Sequence, residues 1–185
     1  MDPPAITRRR RPFLAPVWVI LLAILAAVGV GLALHQSATN TIVMIVPPAS
    51  RELGTIDNPP LSAEGEQQAE QLAQEFASST GEHGLAAIYV GKSRGAEQTA
   101  APLAELLHTR PLVLASGDAG GIAAQIMGEH EGENVLVVCA AETIPQLVNE
   151  LTGQSITPAG AADPRVLYVV TVPSYGPASV LRMRY

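Results

Sequence analysis

Three short segments, 47–50, 91–95 and 139–143, hold or adjoin the side chains best suited to chemistry, and each directly follows an apolar run. A cysteine placed just before a helix could react as a thiolate, and a neighbouring arginine could bind an anion. None of the segments pairs a nucleophile with a base, as acyl or phosphoryl transfer requires. The candidate ligand-binding residues are therefore few: Arg51, Arg94, Cys139, Glu142 and Thr143.

The elements that position these segments follow from hydrophobic patterning. Apolar runs at 41–46, 86–90 and 134–138 predict buried strands, and runs with helical periodicity between them predict helices. Two β-rich runs, 166–172 and 180–184, predict a closing hairpin. This alternation predicts an α/β three-layer sandwich whose mainly parallel central sheet is flanked by helices. The three segments then meet beyond the carboxyl ends of the strands, where such sheets bind ligands.

Composition limits the possible functions. The chain has 185 residues, enough for one domain with a tail, and residues 12–185 carry 7 basic against 16 acidic side chains. A domain this acidic is expected to repel nucleic acid, because duplex binding depends on cationic side chains. The single cysteine, Cys139, excludes an internal disulfide, and the histidines lack metal-ligand spacing. We therefore expect neither a metal nor a cofactor.

The amino-terminal region has the pattern of a membrane segment. Residues 12–34 contain no charged side chain, and a membrane-spanning helix needs about 20 apolar residues. This pattern predicts one transmembrane helix, with a cleaved secretory or twin-arginine signal as the alternative. Four basic residues directly before the run predict that its first end stays in the cytoplasm. These orienting residues are Arg8, Arg9, Arg10 and Arg11.

Four regions of the chain follow from these patterns. We predict a basic tail over 1–11, an anchor over 12–34, a linker over 35–40 and a folded domain over 41–185. The expected location is the inner membrane, with the domain on the periplasmic side. The short linker would keep the domain near the bilayer, so the expected partners are the membrane and a membrane-proximal protein.

Four blocks along the predicted domain match the pattern of a known family. The first is PLSAEG at 60–65 with Gln68 and Ala69, and the second is AIY at 87–89 followed by AEQTA at 96–100. The third is the strand 135–138 followed by TIP at 143–145, and the fourth is the run at 167–172. In this order and spacing the blocks resemble the histidine phosphatase superfamily, the phosphoglycerate mutase-like group, and the fourth is similar to an exported bacterial branch. The resemblance implies the α/β fold of that superfamily.

The same resemblance implies that the catalytic residues of the family are replaced here. At the positions of the family's Arg-His pair, whose histidine accepts the phosphate, the chain has Pro47 and Pro48. Gly95 stands at the position of a second pocket arginine, and Ala140 at that of the second histidine. We therefore expect no catalytic residues and a membrane-anchored, inactive binding or scaffold module, a pseudoenzyme. The alternative is a weak or divergent phosphatase that uses relocated residues such as Cys139 or Arg94.

Overall fold

The computed structural model describes residues 19–22, 24, 25, 28, 39–54, 57–79, 84–115, 117–156 and 164–185. The chain divides into two compact units, Met1–Ala38 and Thr39–Tyr185. The second unit contains all of the strands and helices that are numbered below.

The expectation of a transmembrane helix has to be corrected. Among the described residues, no helix is both long enough and apolar enough to cross a membrane. Of the predicted span 12–34, the structure describes only 19–22, 24, 25 and 28, which are helical. The rest of that span and the four arginines at 8–11 lie outside the described residues.

The elements of the second unit alternate as the sequence predicts, and the helix and strand bounds agree closely with the apolar runs. In chain order they are β1 Asn40–Val46, α1 Ala63–Ser79, β2 Ala87–Val90, α2 Arg94–Leu106, β3 Leu112–Val113, α3 Ala119–Glu129, β4 Asn134–Val138, α4 Ile144–Thr152, β5 Val166–Pro173 and β6 Ser179–Arg184. Asn40, predicted to end the linker, is the first residue of β1.

The described strands form one sheet with the order β3-β2-β4-β1-β5-β6. Strands β3, β2, β4 and β1 run parallel, whereas β5 is antiparallel to β1 and β6 is antiparallel to β5. The sheet is thus mixed, with a parallel part of four strands, and the predicted closing hairpin is confirmed.

Two apolar layers lie on opposite faces of the sheet, because side chains alternate along each strand. Along β4, Val135 and Val137 belong to the layer formed with α3 and α4, and Leu136 and Val138 belong to the layer formed with α1 and α2. The helices contribute small and aliphatic side chains such as Ala100 of α2. The three-layer α/β arrangement is therefore confirmed.

Candidate functional site

The three predicted segments begin side by side at the carboxyl ends of β1, β4 and β2. The backbone N–H of Gly91 donates to the carbonyl of Val138 over 2.8 Å, and the N–H of Cys139 donates to the carbonyl of Val46 over 3.2 Å. Beyond these strand ends lies a cleft of about 1210 Å³. The cleft has the position that the topology predicts for a binding site.

The floor of the cleft at the end of β1 is made by proline. Pro47 is buried and Pro48 is half-buried, and both line the cleft. A proline ring carries neither a proton to donate nor a lone pair to attack phosphorus. This part of the cleft can therefore contribute apolar surface and shape, and no covalent chemistry.

Polar side chains from the two neighbouring helices fasten the loop that follows these prolines. Gln68 of α1 accepts from the N–H of Ser50 through Oε1 over 3.0 Å, and Thr99 of α2 accepts from the N–H of Ala49 through Oγ1 over 3.0 Å. Gln98 of α2 accepts from the N–H of Leu61 over 2.9 Å. Buried backbone N–H groups need such partners, so these side chains fix the course of the loop.

Gly65 lets α1 approach the loop closely. A β-carbon added to Gly65 would lie 1.9 Å from the carbonyl oxygen of Ser50. Ser62 ties the same two segments, because its hydroxyl donates to the Ser50 carbonyl and accepts from the Gly65 N–H. The PLSAEG block therefore holds the cleft loop in place, as an N-cap and a point of close approach.

Arg51 is the cationic side chain that reaches the cleft. Its stem lies over Gly95, since a β-carbon at Gly95 would be 3.1 Å from Cδ and 3.4 Å from Cγ of Arg51. The same added carbon would be 3.6 Å from Cβ of Pro48. Arg51, Pro48 and Gly95 are therefore neighbours, and the absence of a side chain at Gly95 provides the space that Arg51 fills.

Arg94 and Thr143 do not line the cleft. Arg94 is exposed at the start of α2, and its backbone N–H donates to Oδ1 of Asn58 over 2.9 Å. Thr143 lies at the N-cap position of α4, where its N–H donates to the carbonyl of Ala140. The predicted group of five ligand-binding residues is thus only partly brought together, with Arg51 and Glu142 lining the cleft.

Cys139 is a core residue. Only 2% of its surface is exposed, and it packs in the apolar layer that contains Tyr89 and Ile144. Burial, with a smaller contribution from the negative charge of Glu142, raises the pKa of the Cys139 thiol from 9.0 to about 12. The thiol is therefore protonated at neutral pH, and the proposal of a low-pKa nucleophile at this position is wrong.

Comparisons with known proteins agree on the fold. Residues 48–116 match the model of the histidine phosphatase superfamily (branch 1). This match confirms the resemblance to the histidine phosphatase superfamily over that segment of the chain. No curated protein sequence shows significant similarity to the chain.

Solved structures show that the fold is shared with known proteins. The protein histidine phosphatase SixA, complexed with tungstate, has a TM-score of 0.64 at 22% identity, with 77% of this chain and 96% of that chain covered. A putative phosphohistidine phosphatase SixA from Agrobacterium tumefaciens has a TM-score of 0.60 at 13% identity, covering 80% and 100%. A phosphoglycerate mutase from Plasmodium falciparum has a TM-score of 0.55 at 14% identity, covering 80% and 91%.

The cleft of this histidine phosphatase-fold domain is acidic. Arg51 is the cation among its lining residues, which also include four carboxylates: Glu52, Asp57, Glu64 and Glu142. Sequence reasoning identified Glu142 and missed the other three, since nothing in the local pattern shows that the loop after β1 and the start of α1 share one cavity. The charge of the cleft is opposite to what a phosphate ligand requires.

The two described histidines lie away from the cleft. His108 follows α2 and His130 follows α3, so both are at the amino-terminal ends of the parallel strands. His130 contacts the hydroxyl of Tyr89 through Nε2 over 2.9 Å and Glu133 through Nδ1 over 2.7 Å. His35 and His83 lie outside the described residues. Among the described side chains, no three His, Cys, Asp or Glu residues gather as metal ligands.

Proposed function

We propose that this domain is a non-catalytic binding module that keeps the histidine phosphatase fold. The observation that carries the proposal is the pair Pro47 and Pro48 at the end of β1, in the floor of the cleft. Phosphoryl transfer through an enzyme intermediate needs a nucleophile at the reacting phosphorus, and proline and alanine supply none. At the end of β4 the cleft is lined by Ala140, which cannot act as an acid or base either.

The charge in the cleft supports the proposal. Glu142 borders the cleft from the loop after β4, and Glu64 borders it from the first turn of α1. At about 4 Å, one carboxylate repels one phosphate charge by about 4 kcal/mol at an effective dielectric constant of 20. The net charge of the lining side chains is negative, because the cleft has one arginine, Arg51, and four carboxylates.

The residues that are kept support a structural role for the inherited blocks. Gln68, Gln98 and Thr99 each accept a hydrogen bond from a backbone N–H in the segment 49–61 that follows β1. Gly65 provides the close approach of α1. The domain therefore keeps the groups that build the cleft, while the positions that the resemblance assigns to phosphate chemistry hold proline, glycine and alanine.

An activity assay tests the proposal. Purified full-length chain, in nonionic detergent because of the apolar run at 12–34, is incubated with an aryl phosphate ester, with an active SixA preparation as the positive control. We expect phosphate release no faster than the buffer blank. Release at an enzyme-like rate that co-purifies with the chain would overturn the proposal.

A divergent phosphatase is the second candidate, and the position of Arg51 is the observation in its favour. The Arg51 stem covers Gly95, so its guanidinium is near the position where the resemblance places a pocket arginine. This candidate predicts phosphate release that falls at least tenfold in Arg51→Ala and remains unchanged in Arg110→Ala, which lies outside the cleft. If neither the wild-type chain nor Arg110→Ala releases phosphate, the divergent phosphatase is excluded.

A further inference from the structure

We propose that the cleft binds an extended polypeptide segment in which lysine or arginine side chains alternate with apolar residues. The inference rests on the proposed function, because a cleft without phosphate chemistry is free to take a ligand of the opposite charge. The proposed ligand is positively charged, whereas the fold would suggest a negatively charged one.

The carboxylates around the cleft come from three separate parts of the chain. Glu52 and Asp57 lie in the loop after β1, Glu64 in the first turn of α1, and Glu142 in the loop after β4. Because they line one cavity, their potentials add within it, and clefts with low-dielectric walls strengthen such fields. A ligand with several positive charges can therefore contact more than one of these carboxylates at once.

Apolar residues line the cleft together with the carboxylates. Five prolines line the cleft, and Ile144, Val166 and Tyr168 contribute further apolar surface. Leu53, on the rim, is fully exposed. Lysine and arginine bury their methylene stems along such surface while the charged group stays near the carboxylates. The combination of proline surface and carboxylates fits a basic side chain better than a compact inorganic cation.

The size of the cleft favours a polypeptide over a small polyamine. At about 1210 Å³ it exceeds the range of about 300–1,000 Å³ that is usual for small-molecule pockets. An exposed leucine on the rim offers a contact for an apolar side chain of a longer ligand. We therefore assign the cleft to a segment of several residues.

Fluorescence anisotropy with full-length chain tests this assignment. The probe is a labelled twelve-residue peptide with four lysines separated by proline, leucine and alanine, and the comparison peptide has glutamate in place of each lysine. We expect saturable binding of the basic peptide, at least tenfold tighter than binding of the acidic one, and weakening as salt is raised. Equal binding of the two peptides, or binding of neither, would overturn the inference.

Matched charge variants identify the site. The double variant Glu52→Gln, Glu142→Gln removes two cleft carboxylates, and Glu66→Gln, Glu150→Gln removes two exposed carboxylates outside the cleft. We expect the first pair to weaken binding about tenfold and the second pair to change it less than twofold. Equal weakening by both pairs would show attraction to the acidic surface in general and would overturn the inference.

Two further measurements separate the remaining outcomes. Displacement of the peptide by spermine at the same concentration as unlabelled peptide would indicate a small polyamine ligand and would contradict the assignment to a polypeptide. Phosphate release is followed in the same samples with the aryl ester. A failure of peptide binding without phosphate release would overturn this inference alone. Phosphate release would overturn the proposed function.

Discussion

Gly65 and Gly95 face the same loop under different constraints. An added β-carbon at Gly65 would strike the backbone carbonyl of Ser50, whereas at Gly95 it would meet the flexible stem of Arg51. A backbone carbonyl held by hydrogen bonds from Ser62 moves away only at a cost in free energy, whereas an exposed arginine stem moves easily. The two glycines therefore differ in how much a methyl group would cost.

We expect Gly65→Ala to lower the free energy of unfolding by about 2–3 kcal/mol, because the loop or α1 must shift to remove the clash. Urea unfolding measures the change. The control is Gly128→Ala, which lies in α3 with nothing within 4 Å of the added carbon and is expected to raise stability by up to about 1 kcal/mol. Equal stability of Gly65→Ala and the wild type would contradict the close approach.

At the residue scale, the sequence predicted positions better than environments. Pro47, Pro48 and Ala140 line the cleft as their place after β1 and β4 indicates. Cys139 is adjacent to Ala140 in sequence but belongs to the core, because its side chain points into the layer of α3 and α4. The two residues are consecutive, so the direction in which each side chain points at the end of β4 decides which environment it occupies.

At the element scale, a buried side chain joins β2 to the end of α3. The hydroxyl of Tyr89 donates to Oε2 of Glu129 over 2.6 Å and lies 2.9 Å from Nε2 of His130. Burial raises the pKa of Tyr89 above its usual value, and the neighbouring carboxylate of Glu129 adds to the rise. The hydroxyl therefore remains protonated, and a donor, at neutral pH.

We expect Tyr89→Phe to lower the free energy of unfolding by about 1–2 kcal/mol, because a hydrogen bond to a carboxylate is lost while the ring still fills its place in the core. Thermal and urea unfolding give the value. Tyr175→Phe is the control, since Tyr175 is exposed in the turn between β5 and β6, and we expect a change below about 0.5 kcal/mol. A neutral Tyr89→Phe would show that the contact contributes nothing to stability.

Helices and strands were predictable because their apolar periodicity is local. The strand Asn134–Val138 and the hairpin of β5 and β6 lie close to the residues that the pattern indicates. What local patterns cannot show is which loops share a cavity. Glu52 and Glu64 are separated in sequence and line the same cleft, where contacts such as that of Ser50 with Gln68 of α1 hold the two segments together.

At the scale of the whole molecule, the sequence does not determine where the domain is located or which partners it contacts. The prediction of a transmembrane helix was wrong for the described residues. The longest unbroken helix among them is α1, which has 17 residues and carries charged side chains. The expected location, the membrane-proximal partner and the exclusion of nucleic acid stay predictions. Pattern alone shows that a run is apolar; the surroundings that bury it depend on contacts outside the run.

Alkaline pH is expected to destabilise the whole domain through Cys139. The unfolded thiol loses its proton near pH 9.0, whereas the folded thiol keeps it to about 12. Between these values the unfolded state binds fewer protons, so the free energy of unfolding falls as the pH rises, by about 1.4 kcal/mol per pH unit. Below pH 9 both states are protonated, and this effect is absent.

Comparison with Cys139→Ala isolates this contribution, because lysine and tyrosine titrate equally in both proteins. Urea unfolding at pH 8, 9, 10 and 11 should show a steeper loss of stability in the wild type than in the variant, whatever the difference between them at pH 8. Parallel profiles would mean that the thiol is not held in its protonated form.

Strand β1 is the first strand of the chain, yet it lies in the interior of the sheet. Its neighbours are β4 and β5, so Ile45 pairs with Val137 on one side and with Tyr168 on the other. During synthesis the run TIVMIV at 41–46 therefore stays without its neighbour β4 until residue 138 has been made, and without β5 until residue 173 has been made. Such distant pairing slows folding and leaves an adhesive segment uncovered in the meantime, so a chaperone that shields nascent strands should raise the yield of native protein.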